Sequence, residues 1–366
     1  MWEKIQWEAT QEQYILNFIM VNIIFIISFF NRNKVKTSGA VWGSLLLFVL
    51  YAFWDTDYFT MRYTFYKGLD KDFRDPLYYY LSFISFGSYT IFRLIVWGTA
   101  LLLFYKTIKN FKLSANYCAF VFAIFFMLTF SYGRVSLGMA LYFYGISCLL
   151  MRNNNDKSKL FKGIFFIVCS YWGHRSMIVP ILLTPLIKYP LNKKIVIGLS
   201  CICGVLSVIV PILLTRFASG DVDMGENLSA VQSAAEQFSS YDWEVVINWK
   251  FQLITMLRRY SFYILIIYIL WKTLFSKDSI NISPIAKRLL TLSCGITIVA
   301  LAILSVPGMG ADIIGYRYLY MIGIPLCLLL SYMVERRFCK LKTAIFLLIP
   351  AFLFAEGFIF GKILSF

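Results

Sequence analysis

Apolar runs of helical length, separated by short polar clusters, dominate the chain. Twelve can be drawn, at about 14–30, 38–54, 88–105, 113–131, 133–151, 163–173, 176–187, 195–214, 260–276, 289–306, 318–334 and 343–361. About 20 helical residues, with roughly 17–25 usual, cross the hydrocarbon core of a bilayer. Most of the runs are that long, so the pattern predicts an all-α, polytopic integral membrane protein. The sixth and seventh runs have about 11 and 12 residues. At 1.5 Å per residue each reaches roughly 16–18 Å, against a core of about 30 Å. Such a pair dips in from one side, tilts strongly, or forms broken helices with His174-Arg175 at the break. The alternative is two ordinary helices whose ends extend beyond the apolar pattern. Non-helical backbone at membrane depth requires protein or a water-filled cavity around it.

The polar clusters set the orientation. Alternate loops are basic: Asn31–Thr37, Lys106–Lys112, Arg152–Lys162, Lys188–Lys194, Lys272–Arg288 and Glu335–Lys342 each carry a net charge of +3. The excess of Lys and Arg in short loops marks the cytoplasmic side. Both termini are then expected outside, in a single transmembrane domain over 1–366. Outer loops are expected at 55–87 and 215–259. Residues 77–87, rich in tyrosine, read as an aromatic helix lying at the outer interface. Within the later loop, Leu228–Ser240 reads as a short amphipathic helix. No cleavable signal peptide is expected, because the first residues are acidic and polar and no small-residue cleavage site follows.

Composition agrees. The chain of 366 residues is 60% hydrophobic and 19% aromatic, against about 45–50% apolar in soluble domains. A net charge of +16 could suggest nucleic acid. The six basic loops account for all of it, so the charge reports topology and no nucleic-acid partner is expected. The eight cysteines lie in apolar segments or at the inner face, which argues against a disulfide framework.

The two cations partition differently. Of 14 arginines, nine lie outside or in the outer halves of spans, whereas 16 of 21 lysines lie in the cytoplasmic loops. Arg93, Arg134, Arg175, Arg258, Arg259 and Arg317 all fall near outer ends of apolar segments. A planar guanidinium binds phosphate bidentately and stays charged when desolvated. Brought together, these six would line an outward cavity suited to a large, lipid-attached anion such as a polyprenyl pyrophosphate. Snorkelling to outer headgroups is the alternative for any one of them.

Other chemistry is sparse. His174 is the single histidine; it suits a general base, or equally a hydrogen bond to phosphate or a backbone carbonyl. Asp55 and Asp57 form an Asp-x-Asp pair that could hold a divalent metal or simply end a solvated helix. Asp312 shares a glycine-rich outer loop with Arg317, without a phosphate-loop pattern. No Ser/His/Asp or Cys/His constellation is legible.

Several short patterns, in order along most of the chain, resemble the EpsG-like family of Wzy-type polysaccharide polymerases. They are Asp57-Tyr58; Asp75-Pro76-Leu77-Tyr78; Arg134 followed by Gly138-Met139-Ala140; His174 with Ser176; and Arg317 with Tyr320. Val135 departs from the usual glutamine, Asp75 from the usual glutamate, and Arg175 is added within the His-x-Ser. The resemblance implies a GT-C-like enzyme of the bacterial inner membrane. Such an enzyme joins undecaprenyl-pyrophosphate-linked repeat units of O-antigen, capsule or exopolysaccharide at the outer face, without metal or other cofactor. It also implies pyrophosphate contacts from the arginines, with His174, Asp57 and Asp312 as catalytic candidates in that order and Asp75 and Tyr320 touching substrate. A flippase and a chain-length regulator would be its pathway partners. Two rival readings remain: a GT-C glycosyltransferase using a polyprenyl-phosphate sugar with Asp55 and Asp57 on a metal, and a transporter of lipid-linked oligosaccharide.

Overall fold

The computed structural model describes residues 76–112, 133–153, 156–218 and 283–305, together with scattered positions such as Phe65, Tyr66, Gly315 and Tyr318. Every regular element among the described residues is helical. They are α1 (Pro76–Ile84), α2 (Tyr89–Asn110), α3 (Gly133–Leu150), α4 (Lys157–Gly173), α5 (Ile178–Leu183), α6 (Lys193–Ala218) and α7 (Pro284–Leu304). Short 3-10 turns at Arg175–Met177 and Thr184–Lys188 flank α5. Six of the twelve predicted apolar runs are represented here, namely the third, fifth, sixth, seventh, eighth and tenth. The other six fall largely outside the described residues. Helices α2 and α7 are long and apolar enough to cross a membrane.

The chain divides into two compact units. One comprises Met1–Thr184, Asn248–Ser283 and Gly323–Phe366, the other Pro185–Ile247 and Pro284–Ile322.

In the first unit α3 is the central strut. From Val135 to Cys148 every side chain is buried, as expected of a helix apolar on all sides. On one side it meets α2. Asn110, in the last turn of α2, donates to Ser147 Oγ at 2.8 Å in the last turn of α3, so the two helices run parallel. On another side α3 meets α4 in an antiparallel hairpin zipped by two glycine pairs. A Cβ on Gly145 would lie 2.7 Å from the Gly163 carbonyl oxygen, and one on Gly173 would lie 3.0 Å from Gly138 Cα. Lipid offers no hydrophobic drive for helices to associate, so close backbone approach through small residues supplies the packing. These relations bring the starts of α2 and α3 and the end of α4 to one end of the unit, as the alternating basic loops require.

The sixth run is longer than its apolar core. Helix α4 starts at Lys157, six residues before the apolar pattern, because Asp156 caps it by accepting from the Lys159 amide at 2.9 Å. Lys159 also reaches back to Asp156 at 3.6 Å and to the Met151 carbonyl at 3.3 Å. With 17 residues α4 advances roughly 25 Å. The seventh run is helical over Arg175–Lys188, with a 3-10 turn on each side of a short α-helical part. Its α-helical part has six residues, roughly 9 Å. Of the alternatives left open by the sequence, a break at His174 holds between the two runs, and the clipped end holds for the sixth.

Helix α1 occupies the place of the interfacial aromatic helix. It packs against α2 and α4, with Tyr78 and Ser82 inward and Tyr80, Phe83 and Ile84 exposed. A tight turn leads into α2, with Phe86 and Gly87 at φ 51° and 73°. Ser88 then caps α2 by accepting from the Ile91 amide at 3.4 Å.

In the second unit α6 and α7 run parallel. Thr291 near the start of α7 donates to the Tyr189 carbonyl at 2.9 Å, and Ser305 past its end reaches the Ser207 carbonyl at 3.2 Å. Gly315 packs against the end of α7, where a Cβ would meet Leu304 Cγ at 2.5 Å.

Candidate functional site

The break at residue 174 is built by His174 itself. Its backbone N–H closes α4 by donating to the Ser170 carbonyl at 3.1 Å, and its carbonyl opens the next turn by accepting from Met177 at 2.9 Å. Between the two the residue is extended, at φ −165° and ψ 129°. The imidazole then caps the turn that follows: Nδ1 lies 3.2 Å from the Ser176 amide nitrogen and 2.6 Å from Ser176 Oγ. An N-cap side chain satisfies amide donors that the first turn of a helix leaves unpaired. The His-x-Ser pattern thus has a local physical meaning, which is to break one helix and start another.

One face of α3 holds this break in place. Residues four apart share a helix face, so 134, 138 and 142 form one row. Gly138 lies against the junction, where an added Cβ would stand 3.2 Å from the Ser170 carbonyl, 3.0 Å from Met177 and 3.4 Å from His174 Cβ. Tyr142 reaches the short helix, donating to the Pro180 carbonyl at 2.7 Å and lying 3.1 Å from Thr184 Oγ1. Arg134 occupies the next register position toward the start of α3, one turn beyond Gly138. Backbone placement therefore brings the Arg134 and His174 positions to the same end of one helical hairpin. Arg175, next to the break, is exposed.

Arg93 has a different setting. It is fully buried, one turn into α2, with its guanidinium carbon 5.2 Å from the Trp97 ring centroid and 5.9 Å from that of Tyr89. Phe92 beside it joins Phe65 at 4.8 Å and Tyr78 at 5.7 Å between ring centroids. Stacking on aromatic faces is one of the few ways to hold a desolvated guanidinium. Asp57, Asp75, Arg258, Arg259, Asp312, Arg317 and Tyr320 lie outside the described residues, as do Asp55 and Leu228–Ser240.

The sequence left three participants without a role. Tyr142 was not singled out, and Gly138 and Ser176 entered only as parts of patterns. Their spacing from Arg134 and His174 is the signal that could have marked them. Among the described residues there is no cluster of three or more His, Cys, Asp or Glu able to hold a metal ion. Cys148, Cys169, Cys201, Cys203 and Cys294 are free thiols.

Comparison with known proteins places this arrangement. No curated protein and no solved structure matches the chain. The model of the EpsG family matches residues 44–363, which takes in every helix described above. The chain therefore belongs to the EpsG family, membrane proteins related to the Wzy-type polysaccharide polymerases.

Proposed function

We propose that this protein polymerises polysaccharide repeat units carried on undecaprenyl pyrophosphate, at the outer face of the bacterial inner membrane. The growing glycan is transferred from its lipid to the terminal sugar of a new unit, and polyprenyl pyrophosphate leaves. The observation that carries this reading is the shared end of the α3–α4 hairpin. There Gly138 and Gly173 bring the Arg134 position next to the broken helix at His174, in a chain of the EpsG family.

Negative charge develops on the pyrophosphate as the glycosidic bond breaks. Fixed positive charge at that point lowers the barrier without reorganisation. Arg134, Arg175, Arg258, Arg259 and Arg317 supply it, together with Arg93 from its aromatic setting. Asp57, Asp312 and His174 are the groups for handling the acceptor hydroxyl, and Asp75 and Tyr320 contact sugar. The chain works as one transmembrane domain of GT-C type with both termini outside, and it receives its substrate from a flippase of the same pathway.

The test is elongation by the purified protein. In nanodiscs containing lipid-linked repeat units, it should build a ladder of polymer and release undecaprenyl pyrophosphate. A chelator should leave the ladder unchanged. A protein that moves the lipid-linked unit across the bilayer without lengthening it would be a transporter, and the proposal would fail.

A further inference from the structure

The contacts at the break assign the imidazole proton. The Ser176 amide lies 3.2 Å from His174 Nδ1, and an amide N–H can only donate. Nδ1 must therefore present its lone pair. The Ser176 hydroxyl, at 2.6 Å from the same nitrogen, is then a second donor to it. A neutral imidazole carries one proton, and here Nε2 has it. In a Ser-His-Asp triad the arrangement is reversed: a carboxylate accepts from Nδ1–H, which leaves Nε2 bare to take a proton. Here two donors face Nδ1, so that nitrogen is occupied and Nε2 is already protonated.

We propose that His174 serves the substrate as a hydrogen-bond donor through Nε2–H and not as the general base, and that Ser176 is the positioning residue fixing this tautomer. The donor role rests on the polymerase reading above. In the reaction the acceptor oxygen bonds to the anomeric carbon as the carbon–oxygen bond to pyrophosphate breaks, and that electron pair leaves on the pyrophosphate. Nε2–H hydrogen-bonds the leaving oxygens and keeps its proton. The proton of the acceptor hydroxyl passes to a carboxylate, for which Asp57 and Asp312 are the outer-loop candidates. The family resemblance implied His174 first for that task; on this proposal the carboxylates come ahead of it.

The single histidine makes the test direct. Full-length protein labelled with 15N-histidine, in nanodiscs at a pH that keeps the ring neutral, gives one pair of imidazole nitrogen signals. Nδ1 should be pyridine-type and Nε2 pyrrole-type, and the reverse would overturn the proposal. Ser176→Ala should let the Nδ1–H form appear, and Ser176→Thr, which keeps the hydroxyl, should suppress it again. A Ser176→Ala spectrum identical to that of the unaltered protein would remove Ser176 from the role assigned here.

Adding undecaprenyl pyrophosphate should move the Nε2 signal and leave Nδ1 nearly still, whereas undecaprenol should move neither. No shift with the pyrophosphate would refute the donor role. These spectra read the tautomer whether or not the protein polymerises, so failure of the polymerase reading shows separately, in the elongation assay.

Discussion

Replacing Gly173 with alanine probes the contact that joins the two halves of the hairpin. A Cβ there would stand 3.0 Å from Gly138 Cα and 3.1 Å from Gly138 N, against about 3.5–4.0 Å for a relaxed carbon contact. Both neighbours are backbone atoms, so no rotamer change relieves the clash and the ends of α3 and α4 must part by roughly half an ångström. Overpacking of this kind costs about 1–3 kcal/mol. Alanine returns up to about 1 kcal/mol of helix propensity, and less at the last residue of a helix, so the net loss is about 1–2 kcal/mol. The functional effect is larger in proportion. The parting displaces His174 from the Arg134 position, and a misplacement of about 1 Å can cost about 100-fold in rate. Half that displacement corresponds to about tenfold. Unfolding midpoints in detergent and polymer ladders from cells measure the two effects. Gly204→Ala is the control, because nothing lies within 4 Å of its added Cβ; it should leave the ladder unchanged and raise the midpoint, if at all, by the up to about 1 kcal/mol that alanine gains in a helix interior. A Gly173→Ala protein with unchanged midpoint and unchanged ladder would refute the reasoning.

Tyr142→Phe deletes the bond to the Pro180 carbonyl and the contact with Thr184; it should lower stability by about 1–2 kcal/mol, read from the same unfolding midpoints. His174→Gln can place an amide N–H near the position of Nε2, whereas His174→Asn retains only the cap at the position of Nδ1. The glutamine variant should therefore elongate lipid-linked units at least about tenfold faster than the asparagine variant, the margin expected of one charge-assisted hydrogen bond. Phe86, 89% exposed in the turn after α1, should react as Phe86→Cys with a membrane-impermeant maleimide on intact cells, in a chain whose native cysteines are replaced. Reaction only after permeabilisation would reverse the proposed topology.

Among the described residues, helix positions were largely legible in the sequence, since apolar runs in a bilayer admit few alternatives. The aromatic helix expected at 77–87, observed over Pro76–Ile84, was visible for the same reason, and the break at His174 was one of the alternatives the sequence left open. The start of α4 was not visible. Lys157, Lys159 and Lys162 read as a basic loop, and only the cap from Asp156 shows the helix running through them. The glycines were equally silent. Gly138, Gly145, Gly163 and Gly173 acquire meaning only when each is seen facing another helix's backbone or side chains. Arg93 shows another limit. Its place near the outer end of a span suggested a cavity wall, while its burial against Tyr89 and Trp97 depends on the spacing of aromatics along α2 and on Tyr78 and Phe65 from elsewhere. His174 had two open roles because a lone histidine says nothing about its tautomer. The neighbouring amide and hydroxyl are the observations on which the donor proposal rests.

The central claim is that the Arg134 and His174 positions form one wall of a pyrophosphate site. A cryo-electron microscopy map of the full chain in nanodiscs with undecaprenyl pyrophosphate bound tests this most directly. The account predicts phosphate density at the outer end of the α3–α4 hairpin, within hydrogen-bond reach of the Arg134 guanidinium and His174 Nε2. Phosphate density elsewhere, with Arg134 and His174 both turned away from it, would contradict the account.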